Sequence, residues 1–205
     1  VNNNESEWLV RAQKGDDEAF ARIVEEYQRP VYNLCYRMLG NPNDAEDAAQ
    51  ETFLRAYKSL SRYDINRSFA TWVMSIASHY CIDQIRKKRL TTFSMDDENK
   101  SWFKPADPGP HPDKVVSQWE RQVKMQELLE HLNPKDRAAV VMRYWYEYSY
   151  QEIADALSLT VSAVKSRLHR ARRELALQWQ SQEKNHYLTS PKSSVEQGTL
   201  EQTSV

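Results

Sequence analysis

Between Ser149 and Trp179, short polar side chains and arginines are spaced as a nucleic-acid reader would space them. Val161, Val164, Leu168, Ala171 and Leu175 recur at alternating three- and four-residue steps, which is one apolar stripe of a helix. Projected at roughly 100° per residue, Ser162, Ser166, His169, Arg170 and Arg173 fall on the opposite face, with Lys165, Arg167 and Arg172 on its flanks. Short polar groups can reach base edges, and arginines can hold phosphates or clasp a guanine edge. Such a helix needs a support. Ser149 and Glu152 form a capping-box signature ahead of Ile153, Ala154 and Leu157; Ser158-Leu159-Thr160 then breaks the pattern, and Thr160 can cap the next helix. Small Ala154 allows close passage, so the layout predicts a helix-turn-helix. A basic surface helix would explain the charge run alone, but not the cap and turn. Ser158 stands where many such turns have glycine.

Two other groups could carry a function. Asp44, Asp47, Gln50, Glu51 and Arg55 lie off the apolar side formed by Ala45, Ala48, Ala49, Phe53, Ala56 and Tyr57. They read equally as acids at a helix N-terminus or as a docking face for a basic partner. Phe69, Trp72, Val73, Ile76 and Tyr80 line one side of a helix that ends in Arg86-Lys87-Lys88-Arg89. Aromatics beside a basic cluster can stack unpaired bases, although Trp72 at helical spacing can equally be core. Chemistry of catalysis finds no such groups. There is no phosphate-cradling glycine loop, nucleophile elbow or HExxH pattern, and His79 and Asp83, one turn apart, have no nucleophile or metal set beside them. No enzyme activity, cofactor or metal is expected.

The elements that must position these groups are helices. Apolar residues recur at helical spacing through most of the 205 residues, and only four are glycine. The spacing predicts a short helix from Ser6 to Lys14 and a second capped at Asp17, carrying Ala19, Phe20, Ile23, Val24 and Tyr27. A third starts at Pro30 and stops at Gly40, and a fourth covers about Asp44 to Ser59. Leu60 to Ser68 reads as a loop, and Phe69 to Arg89 as the aromatic helix. From Leu90 to Asp113 the apolar period is lost and prolines gather, which predicts a flexible linker. Helices resume over Lys114–Leu132 and Lys135–Tyr146, and a polar, disordered tail is expected after Gln180. The fold class is therefore all-α, two small helical domains joined by a flexible linker.

Net charge is −1, yet the charge is segregated into basic and acidic stretches, which suggests more than one partner. Cys35 and Cys81 sit in apolar surroundings without metal-ligand spacing and read as buried thiols of a reducing compartment. No apolar run approaches the ~18 residues of a membrane span, and the polar opening Val1-Asn2-Asn3-Asn4-Glu5 has no signal-peptide design. A cytoplasmic protein without membrane insertion is expected.

The strings AFARIVEEYQRPVYNLCYRMLGNPNDAEDAAQETFLRAYKSLSRYD, FATWVMSIASHYCIDQIRKKR and LLEHLNPKDRAAVVMRYWYEYSYQEIADALSLTVSAVKSRLHRARREL, in that order, resemble a bacterial extracytoplasmic-function sigma factor, the smallest class of the sigma-70 family. The resemblance covers nearly all of 17–92 and 115–178. It implies region 2 over 1–92, a linker over 93–113, region 4 over 114–180 and a tail over 181–205. It further implies a subunit that binds core RNA polymerase through the β′ clamp helices and the β flap, directs promoter-specific initiation, and is regulated by an anti-sigma factor. Polymerase docking falls to Asp44, Asp47, Gln50 and Glu51. Minus-ten DNA recognition and melting fall to Tyr63, Asn66, Arg67, Phe69, Trp72, His79, Arg86 and Lys87. Minus-thirty-five recognition falls to Ser162, Lys165, Ser166, His169, Arg170 and Arg173. His79 replaces the asparagine of many members, and His169 an aromatic, so base preference can differ. The alternative is a free-standing helix-turn-helix regulator, which would leave the acidic face and the Phe69–Arg89 helix without a task.

Overall fold

The computed structural model describes residues 3–93 and 113–189. Eight α-helices make up these residues: α1 Asn3–Gln13, α2 Asp17–Leu39, α3 Pro42–Ser59, α4 Phe69–Phe93, α5 Asp113–His131, α6 Pro134–Trp145, α7 Tyr150–Leu157 and α8 Val161–Thr189, with a 3-10 turn at Leu60–Arg62. Residues 94–112, the middle of the expected linker, and the tail beyond 189 lie outside the described residues.

The caps explain most of the boundaries. The side chain of Asp16, one residue before the expected cap, accepts from the Ala19 N–H (3.0 Å), and Gly40 ends α2 in the left-handed region at φ +76°. Asn41 caps α3 with Pro42 in its first turn, so the helix begins earlier than the acids suggest. Asn133 does the same for α6 with Pro134. The expected break at Pro30 is absent, and α2 runs through it as one helix. A proline ring removes one ladder hydrogen bond and crowds the preceding turn. Here that cost is offset by burial on both sides, with Ile23 before it and Val31, Leu34, Cys35 and Met38 after it all within the core. Two other boundaries move outward. Helix α4 continues to Phe93, and α8 continues to Thr189 rather than ending near Gln180.

In the first half, α1 to α4 pack around Ile23, Leu34, Met38, Phe69 and Val73. In the second, α6, α7 and α8 close over Val141, Met142, Ile153, Val164 and Leu168. The two halves are docked rather than held apart. Helices α5 and α6 pack on α2, and α7 packs on α4. Cys35 on α2 and Cys81 on α4 are buried free thiols, close enough that Cys35 hydrogen-bonds Cys81 and, with burial, raises its pKa.

Candidate nucleic-acid and partner interfaces

The capping box at Ser149 sets the start of α7. The Ser149 hydroxyl accepts from the Glu152 N–H (3.2 Å), and Glu152 Oε2 accepts from the Ser149 N–H (2.8 Å). Ser158 ends α7 in the left-handed region at φ +52°, a conformation that glycine adopts without strain. The Thr160 hydroxyl accepts from the Ala163 N–H (3.1 Å) and starts α8. Val164, Leu168 and Ala171 are then buried, and Val161 and Leu175 half-buried, so the expected stripe faces inward. Ser162, Lys165, Ser166, His169, Arg170 and Arg173 are all exposed on the other side.

Two of the six have partners the spacing did not reveal. Lys165 Nζ lies 5.8 Å from the centre of the Tyr150 ring. Arg170 is more strongly engaged: its Nε and Nη2 donate to the two carboxylate oxygens of Asp136 at 2.8 and 3.1 Å, and Arg167 Nη1 donates to the same group at 2.6 Å. The hydrogen bonds that Arg170 donates to Asp136, then the carboxylate charge, raise the Arg170 pKa. Arg170 is thus not a free fork: its Nε and Nη2 hold Asp136 in the first turn of α6, while its side chain stays 60% exposed on the face it shares with Ser162, Lys165, Ser166, His169 and Arg173.

The aromatic group at the start of α4 is a cluster with a floor and a lid. Tyr63, Phe69 and Trp72 meet with ring centres 4.7 to 5.5 Å apart, and Tyr27 abuts Phe69 at 5.2 Å. Tyr63 is 5% exposed and Phe69 2%, so neither can stack on a base here; they are corrected from contact residues to the floor beneath the loop. Burial pushes the Tyr63 hydroxyl up to about 12, and it donates to the Arg67 carbonyl. Gln13 on α1 donates from Nε2 to the carbonyls of Leu60 and Tyr63 (3.0 and 2.7 Å) and ties the loop down from behind. Asp64 Oδ1 accepts from both nitrogens of Asn66 at 3.0 Å, a local turn that leaves Asn66 and Arg67 exposed. Trp72 is half-buried on top of this floor. His79, one face along, is half-buried with Nδ1 2.9 Å from the Ser75 carbonyl, and Arg86 and Lys87 are exposed at the far end of α4. Helix α7 lies against α4, and Tyr148 ahead of it hydrogen-bonds Thr71, beside Trp72.

On α3, Asp47 and Gln50 are exposed as expected. Glu51 pairs with Arg55 (2.7 Å), whose guanidinium lies 4.7 Å from the Tyr80 ring centre. Asp44 pairs with Lys88 of the basic cluster, joining two groups that looked independent in the sequence. Leu54 is 55% exposed and Tyr57 47%, and they extend the Asp47–Gln50 stripe at helical spacing. Tyr57 is thereby corrected from a core position: its ring edge rests on Phe20 and its hydroxyl donates to Asp17 (2.6 Å). The signal for Leu54 was available, since it lies off the alanine-rich stripe. Among the described residues, no cluster of His, Cys, Asp and Glu could hold a metal ion, and no helix is long and apolar enough to cross a membrane.

Comparison with known proteins places these surfaces in context. Residues 23–91 match the family model for Sigma-70 region 2, and residues 122–175 match that for Sigma-70, region 4. The ECF RNA polymerase sigma factor SigW of Bacillus subtilis is 40% identical over 176 residues, covering 83% of this chain and 94% of that protein. SigE of Mycolicibacterium smegmatis, also an ECF RNA polymerase sigma factor, is 32% identical, covering 75% of this chain and 58% of its own length. Among solved structures, CnrH in complex with the cytosolic domain of CnrY superposes with a TM-score of 0.64 at 21% identity, over 87% of this chain and 99% of that one. The sigma factor RpoE in complex with the anti-sigma factor NepR from Bartonella quintana gives 0.57 at 19%, over 76% and 93%. These two likenesses concern the fold.

Proposed function

The chain belongs to the extracytoplasmic-function sigma factors of the sigma-70 family, and from that premise we propose how its surfaces divide the work of starting transcription. As such a factor it binds core RNA polymerase and directs it to promoters. In our reading the part up to residue 92 carries polymerase docking and the minus-ten element, 114–180 carries the minus-thirty-five element, and 93–113 joins them.

The observation that carries this reading is the exposed stripe of Asp47, Gln50, Leu54 and Tyr57 on α3. Apolar side chains left in water among acids mark a docking face. A free-standing helix-turn-helix regulator has no use for one. With Asp44 and Glu51 on its edge, this stripe meets the β′ clamp helices, and region 4 meets the β flap. The half-buried Trp72, with exposed Asn66 and Arg67 beside it, receives an unstacked base of the minus-ten element, and His79, Arg86 and Lys87 track the strand along α4. Unstacking costs a few kcal/mol, which stacking and phosphate contacts offset, so no catalytic step is required of the chain. The exposed face of α8 enters the major groove at the minus-thirty-five element. An anti-sigma factor, as RpoE has in NepR, holds the protein by covering these same surfaces in the cytoplasm.

In vitro transcription from a promoter library tests the reading. Core polymerase mixed with the chain is expected to acquire a defined set of start sites, while the chain alone binds duplex DNA poorly. Core polymerase that gains no start-site choice, or site-specific nanomolar duplex binding by the chain alone, would overturn it.

A further inference from the structure

The seam between the two halves is made of specific polar bonds. Arg137 on α6 is 4% exposed, and it donates from Nη1 to the Met38 carbonyl (2.5 Å) and from Nη2 to the Glu130 carbonyl (2.8 Å). Gln126 on α5 donates to the Arg37 carbonyl (3.2 Å). Arg37 and Met38 lie in the last turn of α2, where carbonyls lack partners within the helix. Gly40 closes the turn beneath them at φ +76°, a backbone conformation that glycine adopts without strain, and the ends of the Glu130 and Gln126 side chains lie against it. Tyr146 adds a bond from its hydroxyl to the Pro30 carbonyl (2.6 Å).

Beside this seam lies a cavity of about 210 Å³ lined by Arg29, Pro30, Asn33 and Arg37 from α2 and by Trp145 and Tyr146 from the other half. Its cations come from one half and its aromatic wall from the other, so it exists only while they are docked. The Arg37 guanidinium is half-buried, 5.1 Å from the centre of the Trp145 ring, and donates to the Asn33 carbonyl (3.2 Å). Burial holds the Arg37 pKa below the ordinary arginine value, and the groups that oppose this shift are the tyrosines 146 and 36 rather than a carboxylate. Arg29 is exposed at the same opening. Among the described residues neither guanidinium has an ion-pair partner. Two arginines and Asn33 thus line one opening, and no carboxylate is among the residues that line it. A partly desolvated cation of this kind is stabilised by an anion that can accept its planar fork.

We propose that this cavity is an oxyanion site, taking a carboxylate or phosphate group, and that its occupant favours the docked arrangement of the two halves. A ligand shifts a two-state equilibrium by its differential affinity, and a site walled by both halves has affinity only in the docked state. If the sigma-factor reading holds, occupancy opposes the separation needed to span two promoter elements; the site itself does not depend on that reading.

The test uses the full chain alone, without polymerase or DNA. Inorganic phosphate and, separately, a hexaglutamate peptide are titrated at constant ionic strength against chloride. The Arg37 Nε–H and Trp145 indole signals are followed by NMR, and the radius of gyration by X-ray scattering. A saturable shift of both signals is expected, with a larger docked fraction at saturation. Response to phosphate alone identifies a free oxyanion as the ligand, and response to the peptide alone identifies an acidic segment of a partner. Response to both identifies a general oxyanion site. Arg37→Gln and the surface variant Arg29→Gln should each weaken binding by about tenfold; Arg29→Gln decides should the other fail to fold. No saturable shift with either anion, unchanged affinity in Arg29→Gln, or a docked fraction indifferent to saturation would overturn the proposal.

Discussion

Asp136 is 1% exposed, so its charge must be neutralised where it sits, and Arg167 and Arg170 do so from α8. The two arginines fix the pitch of α8 against α6. Because the Arg170 side chain is 60% exposed, its share is screened, and most of the stabilisation lies with Arg167, at 24%. Asp136→Ala should lower unfolding stability by about 1–3 kcal/mol, since Arg167 is left partly buried without its acceptor; a midpoint in urea indistinguishable from the parent would refute this. Arg173 is exposed on the same face without such a tie. Arg173→Ala should weaken promoter binding evenly across sequences and reduce the slope of log affinity on log salt by about one, the signature of a lost phosphate contact. Loss at one base pair only would instead make Arg173 a reader. The outward positions of α8 were legible from periodicity alone. The engagement of Arg170 was not, because its partner lies 34 residues away in a different helix. Tyr63 and Phe69 failed for a related reason: spacing marks an aromatic as inward or outward on its own helix, and says nothing of what α1 and the loop lay over it.

At the scale of elements, the turn between α7 and α8 holds local strain that the sequence did signal. Ser158 sits at φ +52°, where an L side chain crowds the backbone. Ser158→Gly should raise stability by about 0.5–1 kcal/mol, read as a higher denaturation midpoint with unchanged helix content; a lower midpoint would mean that glycine's added freedom in the unfolded chain dominates. The start of α7 is pH-sensitive in a defined sense. Hydrogen bonds from the Ser149 side chain, then its backbone N–H, hold the Glu152 carboxyl below the ordinary value of 4.5. A carboxylate whose pKa is lower in the folded chain stabilises it above its unfolded value, and that contribution fades as pH falls through the folded one. Glu152→Gln should therefore be less stable than the parent at neutral pH, with the gap closing in acid below 4.5. A gap that stays constant through denaturation at successive pH values would show that the cap works through shape and not charge. Caps, glycine stops and the two-helix motif were readable because each is written within four or five neighbouring residues. Pro30 misled for the same reason, since its local preference for a helix start is outweighed by Val31, Leu34, Cys35 and Met38, which meet the core only in three dimensions.

For the whole molecule, the arrangement of the halves depends on bonds no local pattern encodes. A composition shift marks the expected linker over 93–113, but nothing in it indicated that Arg137 would reach across to the end of α2. That guanidinium is costly to hold: burial lowers its pKa to about 10, and its Nε is buried without a partner. What offsets the cost is the nearby Glu130 charge and two carbonyls, one of them at the negative end of the α2 dipole. Arg137→Gln shortens the side chain and removes the charge, so the Met38 carbonyl loses its donor while the core of each half keeps its apolar contacts. A buried acceptor left unsatisfied costs about 1–3 kcal/mol, enough to move the docking equilibrium by roughly 5- to 150-fold. X-ray scattering of the free variant should show a larger radius of gyration. Amides of α4 near Thr71 and Trp72, which α7 and Tyr148 cover in the docked form, should exchange faster, with those of α8 unaffected. Binding of a minus-ten single strand by the free chain should rise in parallel, because the half-buried Trp72 face loses its neighbour. An unchanged radius together with uniformly faster exchange in both halves would give the opposite answer, that Arg137 is a core residue of one rigid body and the halves do not separate.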